Sequence, residues 1–343
     1  MKAARLFAAR DVRLVDDPPV EVQPGKILVK IQAVAICASD VNMYEDGHSG
    51  GVWPDHPMIQ GHEFSGVVAA LGEGVEGPAV GTRVAVEPTW PCGKCDSCLR
   101  GLENICRHVI FPSYPNEDGA LREYMNCPPF AVHAVDPEVS PVKAALMEPL
   151  GVGVHAVRLA NLQPGEKIAI LGAGTIGMCV MAAAKAYGHT DISVAEPKVD
   201  RQELPRKMGA KFVAASAEEL EELMAEPTMQ PDVVFECSGD NEAPQQAMKL
   251  ARPAGRVIVV GIPHPDEVTF NSTIPRRKEL TVTFSRRSRN TLGECVRLVE
   301  TGEVDLDLFP FQEFKLDDVV EAFKAAQERP EGVLRVIVRC DQD

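Results

Sequence analysis

Four cysteines, Cys92, Cys95, Cys98 and Cys106, are separated by two, two and seven residues. Thiolates at this spacing can turn back onto one ion, and four sulfurs complete the tetrahedral shell that zinc prefers. Gly93 relaxes the backbone where the turn is tightest. A four-thiolate shell has no open position, so this zinc is expected to staple a lobe over residues 88–110 and not to perform chemistry.

A second pattern, Gly172-Ala173-Gly174-Thr175-Ile176-Gly177, fits G-x-G-x-x-G. It follows the apolar run Lys167–Leu171, read as a strand, and opens a helical segment through Tyr187. Gly172 permits the turn, Gly174 lets a pyrophosphate approach the backbone, and Gly177 allows close helix–strand packing. The helix start at Thr175 and Ile176 offers free N–H groups to the anion. Glu196 ends the next strand, about twenty residues on, where an acid accepts hydrogen bonds from an adenosine ribose and repels a 2′-phosphate. That favours NAD over NADP, although Lys198 and Arg201 follow closely. Ser238-Gly239 and Gly261 end later strands and are further cofactor candidates.

A third set, Cys37, His62, Glu63 and Glu148, could hold another metal, but the four lie far apart. Spacing alone leaves each an ordinary reading as well: a buried thiol, a loop histidine, a helix cap.

Elements must place these groups. The 343 residues favour two domains. The first ~150 residues read as mostly β, with short apolar runs such as Ile27–Ile31 and Gly66–Ala70 between Gly and Pro punctuation. From Lys167 the texture alternates: strands at Ile192–Ala195, near Phe212, at Val233–Glu236 and at Val257–Val260, with helices near Val199–Met208, Glu218–Met224 and Ala243–Leu250 between them. Alternation of this kind predicts a doubly wound parallel sheet. Pro205 is expected to kink or shorten its helix. The tail predicts a helix near Leu316–Gln327 and a strand near Leu334–Val338.

Composition narrows the function classes. Net charge is −15, which argues against a nucleic-acid or anionic-membrane surface. No apolar run is long enough to span a bilayer. Ten cysteines without a secretion signal predict a reducing, cytoplasmic setting and metal ligation in place of disulfides. The acidic run Glu218–Glu222 reads as a solvated helix face, and Arg286-Arg287-Ser288-Arg289 as either a phosphate contact or an exposed or subunit-contact loop.

Gly61-His62-Glu63 followed by Gly66, Gly72 and Val75 resembles the zinc signature of medium-chain dehydrogenases. The cysteine lobe, the glycine loop and the segment order agree with that family over nearly the whole chain. Met147-Glu148-Pro149-Leu150 and the pair Cys37/Ser39 are similar to its polyol (sorbitol or iditol) and threonine dehydrogenase branch. The resemblance implies a GroES-like β domain from residues 1–151 and 285–343, with a Rossmann nucleotide domain at 152–284 inserted. It also implies a catalytic zinc held by Cys37, His62 and Glu63, with Glu148 as fourth ligand or partner of the zinc-bound water. Ser39 would pass the alcohol proton outward and Asp40 would orient His62. Zinc would lower the pKa of a bound alcohol, and the nicotinamide would accept the hydride. The relay histidine of many relatives is replaced here by Asn42, which leaves water, Glu148 or His48 as terminal base. Tyr44 and Phe111 could wall the substrate pocket, or simply pack.

The expected activity is oxidation of a polyol by NAD+, in a homo-oligomer, with a tetramer implied by the resemblance. Threonine 3-dehydrogenase and butanediol or tetritol dehydrogenase are rivals within the class. A catalytically silent zinc- and nucleotide-binding protein is the rival outside it. A zinc-finger nucleic-acid module is weakest, because the thiolate lobe lacks basic flanks.

Overall fold

The computed structural model describes residues 1–49, 51–265 and 267–341. The chain forms two units: Met1–Glu148 with Leu292–Gly302 and Phe309–Asp343, and Pro149–Thr291 with Glu303–Leu308. The sequence reading set the change at Val152 and the return at Ser285, and kept 303–308 with the flanking part. One helix, Pro141–Ala160, runs through the division, so the sequence carries no break there.

The first unit is built on a seven-stranded sheet. Its path runs Phe311–Lys315, Arg335–Arg339, Ile27–Ala35, Glu63–Leu71, Arg83–Val86 and Val132–Ala134, with Tyr124–Cys127 also paired to Ile27–Ala35. Ile27–Ala35 is the trunk. It is almost wholly buried, with Lys30 its one exposed residue, as expected of a strand covered on both faces. A smaller sheet joins Asp11–Asp16, Lys2–Ala8 and Met58–Ile59. Val29, Ile31, Phe64, Leu121 and Phe323 are among the side chains that fill the core.

Register places the chemistry. Ala35 pairs with Glu63, and Ile337 pairs with Ala35 on the other side. Ile36 N–H then donates to Val336 C=O (2.9 Å), which sets Arg335 level with Cys37 just beyond the trunk. Three neighbouring strands therefore deliver Cys37, Glu63 and Arg335 to one sheet end. Cys37 itself starts the helix Ala38–Asp46, which the mostly-β reading of this part had not foreseen.

The second unit holds six parallel strands in the order Phe212–Ala214, Ile192–Ala195, Ile168–Leu171, Val233–Glu236, Arg256–Val259, Thr281–Phe284. The order reverses between Ile168–Leu171 and Val233–Glu236, which makes this a doubly wound sheet with a switch point for ligands. The helix expected near Val199–Met208 is broken into a 3-10 turn, Val199–Arg201, and a short helix, Glu203–Lys207, with Pro205 inside it. Among the described residues, no helix is long and apolar enough to cross a membrane.

Candidate metal centres and nucleotide loop

The four lobe sulfurs lie within 4.8 Å of one another. Cys95 Sγ is 3.5 Å from Cys98 Sγ and 3.8 Å from Cys106 Sγ. Four sulfurs bound tetrahedrally to one zinc would stand about 3.8 Å apart, whereas a disulfide needs about 2.05 Å. The residues therefore fit the ion, and all ten cysteines are free thiols. Backbone N–H groups of Cys98 and Arg107 hold the Cys95 thiol down to about 6, which favours the ligating thiolate. Cys106 Sγ accepts N–H bonds from Cys92 and His108 (both 3.3 Å), and Arg107 pairs with Asp96 (2.7 Å) across the lobe.

The second cluster joins residues the sequence keeps apart. Ligand atoms of Cys37, His62 and Glu63 lie within 4.8 Å of one another. A sulfur, an imidazole nitrogen and a carboxylate oxygen are a zinc donor set with room for exchange. His62 and Glu63 are buried, and Cys37 is half-buried. Glu148 is not among the side chains converging within that distance. It lies buried in the helix Pro141–Ala160, where burial and then the neighbouring Glu63 push its carboxyl up to about 8.

Asp40 organises this cluster from below. Its carboxylate accepts N–H bonds from Cys37 (3.0 Å) and Gly61 (3.2 Å) and an O–H bond from Ser113 (2.5 Å). Its Oδ1 faces His62 Nδ1 at 3.5 Å. Burial works against the Asp40 charge, but His62 and these donors hold the carboxyl below its usual range. Burial also opposes the imidazolium, yet Asp40 and then Cys37 raise His62 well above its ordinary value. A metal taking the imidazole lone pair competes with that proton.

Two partners escaped the sequence reading. Arg335 donates to both Glu63 oxygens, Nε to Oε2 at 3.0 Å and the terminal nitrogen to Oε1. Ser113 reaches Asp40 from a loop read only as a possible pocket neighbour. Neither carries a local motif. Other expected residues fall elsewhere. Ser39 is half-buried in the first turn after Cys37, and Asn42 is half-buried one turn on. Tyr44 is buried against Phe323 (ring centroids 5.0 Å apart) and serves packing. Phe111 stands against the His62 ring at 5.1 Å. His48 accepts Gly51 N–H (3.2 Å) and lies against Trp53, while His56 pairs with Asp55.

In the second unit the glycine loop follows Ile168–Leu171 and caps the helix Thr175–Ala186. A Cβ on Gly177 would lie 1.9 Å from Gly172 O, so only glycine permits this approach. A Cβ on Gly174 would meet nothing within 4 Å: open space stands at the helix N-terminus where a phosphate needs it. The loop therefore fits a dinucleotide. Glu196, buried, accepts Ala173 N–H (2.7 Å) and Lys198 N–H (2.9 Å), so it fixes the loop it follows. Arg201 is half-buried within the 3-10 turn. Glu236, unforeseen, gathers the later strand ends: one oxygen accepts Ser238 N–H and O–H (both 2.7 Å) and Gly239 N–H (3.1 Å). A Cβ on Gly261 would meet its other oxygen at 2.7 Å.

A β unit bearing two cysteine-containing clusters and a unit with a dinucleotide loop define a class of oxidoreductase. The model of the alcohol dehydrogenase GroES-like domain matches residues 23–137, and that of the zinc-binding dehydrogenases matches residues 175–301. Sorbitol dehydrogenase of Bacillus subtilis (strain 168) is 34% identical over 341 residues, 98% of this chain and 97% of that protein. The chain belongs to the zinc-binding dehydrogenases with a GroES-like alcohol dehydrogenase domain. Among solved structures, the short chain alcohol dehydrogenase rspB of Escherichia coli CFT073, complexed with NADH, matches with a TM-score of 0.90, 26% identity and 99% coverage of both chains. A zinc-binding dehydrogenase of Sinorhizobium meliloti 1021 bound to NADP matches with a TM-score of 0.87, 29% identity and 99% coverage of both.

Proposed function

We propose that this enzyme oxidises a secondary alcohol of a polyol with NAD+, giving a ketose or ketone. The convergence of Cys37, His62 and Glu63 ligand atoms within 4.8 Å carries the reading. Similarity over nearly the full length to a sorbitol dehydrogenase supports the polyol class. Cys37, His62 and Glu63 would hold a catalytic zinc, with Glu148 as fourth ligand or as partner of a bound water. When bound, that ion supplies a Lewis acid for the alcohol oxygen. Asp40, whose Oδ1 faces His62 Nδ1, would orient the ring and leave its other nitrogen for the metal. Arg335 limits how far the Glu63 carboxylate can swing. Ser39 would take the substrate hydroxyl's proton outward.

Cys92, Cys95, Cys98 and Cys106 would hold a second, structural zinc. Residues 152–284 would form the nucleotide domain, with Gly172, Gly174, Thr175, Ile176 and Gly177 at the pyrophosphate and Glu196 at the ribose. Arg201, Ser238 and Gly261 would line the remainder of that site. NAD is favoured by the acidic Glu196, and NADP is the second reading, supported by the Sinorhizobium meliloti complex. The enzyme is proposed to be a cytoplasmic homotetramer.

The test is an NAD(P)+ reduction screen over polyols, amino alcohols and diols, with zinc measured on the same sample. Two zinc ions per chain and preferred turnover of a polyol with NAD+ are expected. L-Threonine or butanediol as preferred substrate would move the assignment within the class. One zinc and no reduced cofactor from any alcohol would leave a nucleotide-binding protein with a stapled lobe.

A further inference from the structure

Ser113 combines three features that ordinary loop packing does not require together. Its φ is +70°, in the left-handed region that a serine seldom occupies. Its hydroxyl donates to Asp40 Oδ1 at 2.5 Å, the shortest of the bonds that this carboxylate accepts. That same oxygen faces His62 Nδ1 at 3.5 Å. The backbone is held from both sides. Ser113 N–H donates to Glu117 C=O (3.0 Å), and Tyr114 N–H donates to Phe111 C=O (3.1 Å). Asp118, which follows, accepts Ile59 N–H (2.9 Å) and pairs with Arg5. The turn thus presents the hydroxyl to Asp40 and the Phe111 ring to His62, at 5.1 Å, in one piece.

Asp40 is 2% exposed, so its ionised form depends on donors and not on water. Two of those donors are backbone N–H groups of Cys37 and Gly61, fixed by the fold. The third is a side chain held in a costly conformation. Strain of this kind persists where the surroundings impose it, and it collects at functional sites.

We propose that Ser113 is a positioning residue for the metal's histidine: the strained turn aims its hydroxyl at Asp40, which in turn keeps His62 pointed at the ion. This inference rests on the proposed Cys37/His62/Glu63 site. Glycine at this position relieves the backbone but removes the hydroxyl. Alanine removes the hydroxyl and keeps the strain. The two effects separate in this pair.

The experiment loads wild type, Ser113→Gly and Ser113→Ala with zinc and follows release into excess chelator, with thermal unfolding measured on the same samples. Both variants are expected to release the non-lobe zinc about 10-fold faster than wild type, the lower end of losses for partners of ligating groups. Ser113→Gly, relieved of the strain, should unfold later than Ser113→Ala, and both lose the bond to Asp40. Cobalt in place of zinc should show the same displaced absorption bands in both variants. If zinc release instead follows thermal stability, with glycine near the wild-type rate and alanine clearly faster, the residue is merely structural and the inference fails. Release at or below the wild-type rate in both variants overturns it as well. A wild type holding lobe zinc alone removes the underlying site, an outcome read before any variant is compared.

Discussion

The two cysteine-containing clusters differ in the length of chain each must gather. In the lobe, 14 positions separate Cys92 from Cys106, and turns at Gly93 and Gly101 close the loop. In the other cluster, Glu63 and its partner Arg335 are 272 positions apart. Chain entropy makes the longer closure dearer by roughly 2–3 kcal/mol. The lobe can offset its smaller cost with metal–sulfur bonds. The assembled cluster needs the buried sheet first, because only the pairing of Ile27–Ala35 with strands on both sides brings its members level. The proposed staple is local, and the proposed site for exchange is framed by the core.

Breaking the frame should do more harm than breaking the staple. Arg335→Met leaves Glu63, 1% exposed, without its cation. Chemical denaturation of the metal-free protein should show a loss of about 3–5 kcal/mol, the usual cost of orphaning a buried charge. An unchanged midpoint would mean that the pair contributes nothing to the frame.

Removing a group of the proposed catalytic site should cost activity more than stability. Cys37→Ser and Glu148→Ala are each expected to lower turnover at least ~100-fold while the lobe keeps its zinc. Rates near wild type in both would dismantle the site assignment.

The lobe should show the opposite balance. Cys98→Ser should lower zinc by one per chain and the thermal midpoint by about 5 °C, as expected when a stapled element is loosened in a domain of this size. NAD+ reduction measured below that midpoint should fall less than ~10-fold. A collapse of activity with stability intact would erase the distinction between the clusters.

A buried histidine outside both clusters provides the smallest effect. Burial, then Arg289 and Arg158, lower His155 to about 4. Its unfolded value is about 6.5, so the folded state binds fewer protons between those limits. Stability from this group is present above about 6.5 and is lost as pH falls toward 4. The loss should be about 1–2 kcal/mol after solvent screening. His155→Gln should flatten the stability curve in that window and leave zinc content alone. An unaltered curve would assign the acid sensitivity elsewhere.

Legibility in the sequence follows the same division. The lobe and the glycine loop are written within a few residues each, so spacing suffices. The parallel sheet was readable because Ile168–Leu171 is an unbroken apolar run and Ile192–Ala195 is interrupted only by Ser193. The helix Pro141–Ala160 was hidden, since Pro141, Pro149, Gly151 and Gly153 all resemble stop signals. Packing overrides them: a Cβ on Gly153 would lie 2.6 Å from the Cys179 backbone, so that glycine serves close approach and not termination. Arg335 and Ser113 carried no signal, because their roles depend on pairing partners that no local pattern names.

The register that brings Arg335 beside Glu63 also sets an order of events during synthesis. A ribosome releases the cysteine lobe long before Arg335, so the lobe could take the proposed ion before that arginine is made. The buried acid at Glu63 must wait for the strand Arg335–Arg339 to emerge before its charge is answered. A chain stopped before Arg335 would keep the four lobe cysteines together and leave Glu63 without its cation.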